Sequence, residues 1–222
     1  MRYPFKTRFK LAVMGFVSEY FEVAKNVITS PTEFFENENR RDGFGYPLKF
    51  AAFSLLISGL FSAAQTAISG PAAEVSFSIP VLAGVSAVAT PILGVIGLTI
   101  SAGLIHIFVA LFGGENGYSN TLSILGYTTA IGVVGSANSV LMSLGTVAGG
   151  IAGTLLSIVG GLIALVVGLY GIYIQSKGIS EFQDLSFGKS VLSIILPGII
   201  LFVLVFGLSV LVLGAGLLAM SA

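Results

Sequence analysis

Apolar and polar positions along this chain follow two regimes. Up to residue 29 they alternate with a helical period. At 100° per residue, Phe9, Val13, Phe16, Tyr20, Val23 and Val27 fall on one side, while Ser18, Glu19, Glu22 and Asn26 fall on the other. The pattern predicts an amphipathic helix. Ser30-Pro31 should end it, because proline clashes with the preceding turn and disfavours helix at the residue before it. Such a helix can pack on a membrane domain, or lie in the headgroup layer with help from Arg2, Lys6, Arg8 and Lys10. Both readings stay open. The apolar run Leu11 to Val17 is short and no small-x-small cleavage site follows, so the segment is expected to be retained rather than removed as a signal peptide.

Residues 32–47 read as a polar, turn-rich linker interrupted by Phe34-Phe35. Beyond Pro47 the alternation disappears and long apolar runs take over. A spanning helix needs about 20 mostly apolar residues, since the hydrocarbon core is about 30 Å thick. Five runs qualify, at about 48–68, 81–112, 122–143, 151–174 and 191–219. The second is too long for one untilted span and too short for two. Pro91 should mark a kink or the true start, with 81–90 along the outer interface. Between the third and fourth runs, Gly145 to Gly150 is the turn-like interval and predicts a tight hairpin. The fold class is therefore all-α. Residues 1–47 form an amphipathic helix and linker, and residues 48–222 a polytopic bundle of five transmembrane helices.

Composition strengthens this reading. Of 222 residues 55% are hydrophobic and 9% charged, against about a quarter charged in a soluble domain. The mean hydropathy is +1.00. With five spans and the N-terminus inside, the cytoplasmic pieces 1–47, 113–121 and 175–190, together with Lys49 at the membrane edge, hold all 10 Lys and Arg. The positive-inside rule then puts the C-terminus outside, in a cell membrane.

Charge also restricts chemistry. No Asp, Glu, Lys or Arg lies well within an expected span, although intramembrane charges usually mark ion and proton pathways. The chain has no cysteine and one histidine, so thiolate chemistry and histidine clusters are excluded. No Ser-His-carboxylate set or zinc-protease spacing occurs, which argues against an enzyme, and no cofactor and no nucleic-acid partner are expected. Milder polar groups remain: Gln65, His106, Tyr127 and Asn138. His106, Asn138 and Gln65 are expected to hydrogen-bond between helices rather than carry protons. Gly113-Gly114 should stop the second span, with Asn120 or Thr121 capping the third.

Small residues suggest how the helices pack. Gly145, Gly149, Gly153, Ser157 and Gly161 recur every four residues, and Gly160, Ala164 and Gly168 form a second ridge. Close backbone approach at such ridges predicts that the fourth span is central, with internal packing favoured over a dimer interface.

Several segments together resemble the Yip family, the Ypt/Rab-interacting five-span membrane proteins and their prokaryotic relatives. They are Val27 to Phe35 with Pro31, Phe34 and Phe35; His106 to Leu122 with Leu111-Phe112-Gly113-Gly114; Gly126-Tyr127; and Gln175 to Ser190. In eukaryotic members Asp-Leu-Tyr-Gly-Pro precedes the first span. Here Asp42-Gly43-Phe44-Gly45-Tyr46-Pro47 takes that place with one extra residue, and the N-terminal region is short, which favours the prokaryotic branch. In a eukaryotic cell the resemblance would imply the Golgi or ER membrane. It implies a non-enzymatic protein that organises membranes or recruits partners: the lipid bilayer, and a cytoplasmic protein or a second copy. Pro91, Pro197 and abundant glycine support the alternative of a small transporter or channel.

Overall fold

The computed structural model describes residues 5–37, 44–69 and 78–221, with side chains from Met14 to Val210 except Leu208. Arg2, the side chains of Lys6, Arg8, Phe9, Lys10 and Val13, the stretch 38–43 and Gly70-Pro71 lie outside the described residues. Every regular element among the described residues is a helix: α1 (Phe5–Thr29), α2 (Pro31–Asn37), α3 (Gly45–Ser69), α4 (Ile79–Leu111), α5 (Tyr118–Ala148), α6 (Gly150–Phe182) and α7 (Phe187–Ser221). Among the described residues α3 to α7 are long and apolar enough to cross a membrane.

Several boundaries differ from the sequence expectation. The chain does break at Ser30-Pro31, but the first residues of the expected linker form α2, with Pro31 in its first position and Glu33 in its first turn. Proline's missing N–H and fixed φ suit a first helical position, and a carboxylate there faces the positive end of the helix dipole. Helix α4 runs unbroken through Pro91 for 33 residues, about 50 Å at the usual rise, so Pro91 is not its start. Proline frees the carbonyl four residues earlier, and the structure covers that spot closely. A Cβ on Gly59 of α3 would lie 2.7 Å from the Ala87 oxygen and 3.2 Å from the Pro91 ring. Glycine admits α3 to this point. Helix α5 starts at Tyr118 after Gly117, not at Asn120 or Thr121, and no side chain caps it. Both expected capping residues are instead used in contacts between helices. The α5–α6 hairpin turns on Gly149 and Gly150, at φ +61° and +56°, a region where glycine carries no Cβ penalty.

The central helix is α5, not α6. Helix α5 packs on α3 and α6 along much of its length and also touches α1 and α4. Residues 121–128 of α5 are all buried, whereas residues 161–166 of α6 are exposed. Glycines 160 and 161 lie 100° apart on the helix, so only one can meet α5. A Cβ on Gly160 would strike Met142, while Gly161 and Gly168 face open space. Gly153 does meet a neighbour, since its Cβ would collide with the Gly145 carbonyl. The expectation for Gly161 as a packing residue therefore fails for a geometric reason.

Candidate functional site

The densest part of the molecule is the end that carries α1, α2 and the α4–α5 and α6–α7 loops, referred to below as the polar end. Helix α2 explains much of this density. Seven residues cannot hold a helix alone, because nucleation costs more than so few hydrogen bonds return. Phe34 and Phe35 hold it by inserting into the bundle. Phe34 meets Tyr127 edge-on at 5.2 Å between ring centroids, and Phe35 meets Phe182 at 5.5 Å. Tyr127, 2% exposed, also contacts the rings of Tyr46 and Phe50. Offset and edge-on ring pairs of this kind each add about 0.5–1.5 kcal/mol beyond area burial.

Two glycines make room for this cluster. A Cβ on Gly178 would sit 2.6 Å from Ile124 Cγ2 and 3.0 Å from Phe35 Cζ. A Cβ on Gly126 would sit 2.8 Å from the Pro47 carbonyl oxygen, bringing α3 and α5 to backbone contact. Helix α1 closes one flank. Tyr20 packs tilted on Phe50 and edge-on against Phe53 and shares a 3.0 Å hydrogen bond with Ser54. Burial pushes the Tyr20 hydroxyl pKa up, and the Ser54 bond lowers it in part, so the group stays neutral at ordinary pH. From α6, the Tyr170 hydroxyl donates to the Ile28 carbonyl at 2.6 Å.

Hydrogen bonds tie the two loops together. Gly113 ends α4 at φ +94°, and the Gly114 N–H returns to the Val109 carbonyl at 2.9 Å, the glycine stop expected there. Asn116 Nδ2 then reaches the Phe182 carbonyl at 2.9 Å and Asp184 Oδ2 at 2.8 Å. Lys189 Nζ donates to the Phe112 carbonyl at 2.9 Å. Beneath the loops, Gln183 is fully buried and its Nε2 donates to Thr121 Oγ1 at 2.9 Å. Thr121 Oγ1 lies 3.0 Å from His106 Nδ1. A hydroxyl that accepts from Gln183 can give its own proton to Nδ1, which suits the neutral imidazole protonated at Nε2. His106 thus joins α4 to α5 and, through Thr121, to the α6–α7 turn. It also stands 5.9 Å from the Tyr118 ring, edge-on. Among the described residues no three His, Asp or Glu side chains converge in a way that could hold a metal.

The structure brings Phe34, Phe35 and Tyr127 into one cluster, with Pro31 buried at the start of the same short helix and His106, Gly113 and Gly114 in the loop links at the same end. Asn138 and Gly153 lie toward the other end. Asn138 Nδ2 donates to the Gly160 carbonyl at 2.9 Å, and next to it Ser139 Oγ donates to Gln65 Oε1 at 3.2 Å. Gly161 joins neither group. Gln183, Gly126, Gly178 and Ser54 were not singled out from the sequence for these contacts. Gln183 stands in a charged stretch that looks solvated, and no local signal marks it as buried. Gly126 precedes Tyr127 in a segment already noted, so its role was closer to hand.

The arrangement is that of a multi-pass α-helical membrane protein whose helices are locked at one end by aromatic packing and short polar links. A family model described as the Yip1 domain matches residues 25–209. The chain belongs to that family. No curated protein and no solved structure matches it.

Proposed function

We propose that this protein is a non-enzymatic membrane organiser or recruiter, with the polar end as its working face in the cytoplasm and the α5–α6 hairpin outside a cell membrane. The observation that carries this reading is the docking of α2. A surface segment held by Phe34, Phe35 and Gly178 presents Glu33 and Asn37 at a fixed place beside Glu22 and Asn26 of α1, around an open cleft of about 700 Å³. A fixed polar surface on a membrane anchor suits a protein partner. The positive-inside rule supports the orientation.

A transporter draws support from the Gln65–Ser139 and Asn138–Gly160 links, which place polar groups between helices at the opposite half. Two experiments separate the readings. Photo-crosslinkers at Glu22 and Asn37, compared with Thr146, should yield a discrete protein adduct in native membranes from the first two sites only. Adducts from Thr146 alone would overturn the proposed face. Single cysteines at Thr146 and Ser186, both exposed, should react with an impermeant maleimide on whole cells at Thr146 and not at Ser186. The reverse labelling would refute the orientation.

A further inference from the structure

We propose that α1 has three faces rather than two, and that the third, carrying Met14, Phe21 and Lys25, is set into the bilayer at the boundary between headgroups and acyl chains. The inference is independent of whether the polar end recruits a protein. It starts from a division that the helical period alone does not reveal. Tyr20, Ala24 and Val27 are buried against the bundle, and Phe16 meets Phe53 edge-on at 5.6 Å. Glu22 and Asn26 are exposed and border the polar cleft between α1 and α2. Between these faces runs a stripe with seven- and four-residue spacing: Met14, Phe21 and Lys25. Met14 is 60% and Phe21 59% exposed. A phenylalanine next to a glutamate on a solvated helix, left this open, is poorly placed in water.

The depth of the helix identifies what covers the stripe. Lys49 is exposed near the start of α3 and marks the level of the headgroups, where a lysine can keep its ammonium in water. Helix α1 touches α3 at Phe50, Phe53 and Ser54. These residues lie between one and five positions further along α3, from about 1.5 to about 8 Å deeper at the usual helical rise. Interfacial amphipathic helices sit about 5–10 Å into the same boundary. Continuing along α3, Leu56 and Leu60 are exposed at greater depth and have acyl chains as their natural cover. The charge agrees with the depth: Lys25, on the same stripe, can reach an anionic headgroup while Met14 and Phe21 meet the upper acyl chains. Phe16 and Tyr20 then hold the helix to the protein, and Phe21 holds it to the lipid. A helix fixed this way enlarges the protein's cross-section in one leaflet only.

The test uses the full chain, which has no tryptophan, so one introduced indole reports alone. Phe21→Trp, Met14→Trp and Asn26→Trp proteins are reconstituted in vesicles of phosphatidylcholine with phosphatidylglycerol, brominated or not near the top of the acyl chain. Emission at positions 21 and 14 should be quenched several-fold more by the brominated lipid than emission at 26, and iodide in the water should give the opposite order. Lys25→Glu added to Phe21→Trp should reduce bromine quenching in the anionic vesicles. Equal quenching at 21 and 26, or a shielded indole at 21 that neither bromine nor iodide reaches, would overturn the inference, the latter by pointing to a protein contact. Circular dichroism melts of each variant in detergent check folding. Should Phe21→Trp melt early, Phe21→Cys carrying a small environment-sensitive dye replaces it and is read against the same lipids.

Discussion

The two ends of the α5–α6 pair are built on different principles. At the polar end the helices are joined by rings, the buried Gln183 amide and loop-to-loop hydrogen bonds: Phe34 on Tyr127, Gln183 on Thr121, Asn116 on Asp184. At the hairpin end the same two helices meet through Gly145 and Gly153, with one buried amide bond from Asn138 to Gly160 further in, while Ile151, Leu155 and Ile158 are exposed. The solvent explains the contrast. In the hydrocarbon, lipid tails cover leucine as well as a neighbouring helix does, so burial drives little association and close backbone contact must do the work. At the polar end the loop carbonyls and amides that are shielded from water, Gln183 among them, need partners, and supplying those partners locks the elements together.

Substitutions at the two ends test this contrast, read as melting midpoints in one detergent at matched expression. The largest effect is expected at Gly126→Leu, where the new side chain must displace the Pro47 backbone rather than a flexible neighbour. A loss of about 3 kcal/mol, the upper part of the overpacking range, is expected. Next comes Gly153→Leu, which separates α5 from α6 at the carbonyl of Gly145. About 2 kcal/mol is expected, confined to the hairpin, so hydrogen exchange should rise near 145–153 while the Tyr127 cluster stays protected. A Gly153 effect exceeding that of Gly126 would reverse the ranking of the two ends.

Smaller effects refine the account of the polar end. Gln183→Leu removes the link from the α6–α7 turn to Thr121 and should cost about 1.5 kcal/mol. In the same variant the His106 imidazole resonances should shift in NMR, because Thr121 loses its donor. An unchanged His106 spectrum would detach the histidine from this chain of bonds. Tyr170→Phe deletes one hydrogen bond to Ile28 and should cost about 1 kcal/mol, with increased proteolysis near the end of α1. Gly161→Leu and Gly207→Leu should stay within about 0.5 kcal/mol, since open space lies over both glycines. A marked loss at Gly161 would reveal a neighbour outside the single chain.

Part of this organisation was legible in the residues alone. The five apolar runs, the break at Ser30-Pro31 and the stop at Gly113-Gly114 depend on length, hydropathy and backbone constraint, all of which are local. The aromatic pair Phe34-Phe35 could be noticed in a polar stretch, but nothing local says that it folds into a helix. That helix exists because Tyr127, Phe182 and Gly178 receive its two rings. Along the small-residue ridges of α6, Gly153 meets the Gly145 carbonyl while Gly161 faces open space, since a repeat of four drifts around a helix of 3.6 residues per turn. Periodicity reports that small residues share a stripe, not which way the stripe faces.

Five membrane-crossing helices could be read from the residues alone, because partition of some 20 apolar residues into a layer about 30 Å thick needs no knowledge of their neighbours. The central place of α5, the burial of Gln183 as a link, and the division of α1's apolar residues between the bundle and an exposed stripe emerge from the packing. Those outcomes depend on which helix faces which, and in a bilayer many arrangements bury apolar surface almost equally well. The choice among them falls to a few glycines and polar side chains whose partners lie far away in the chain.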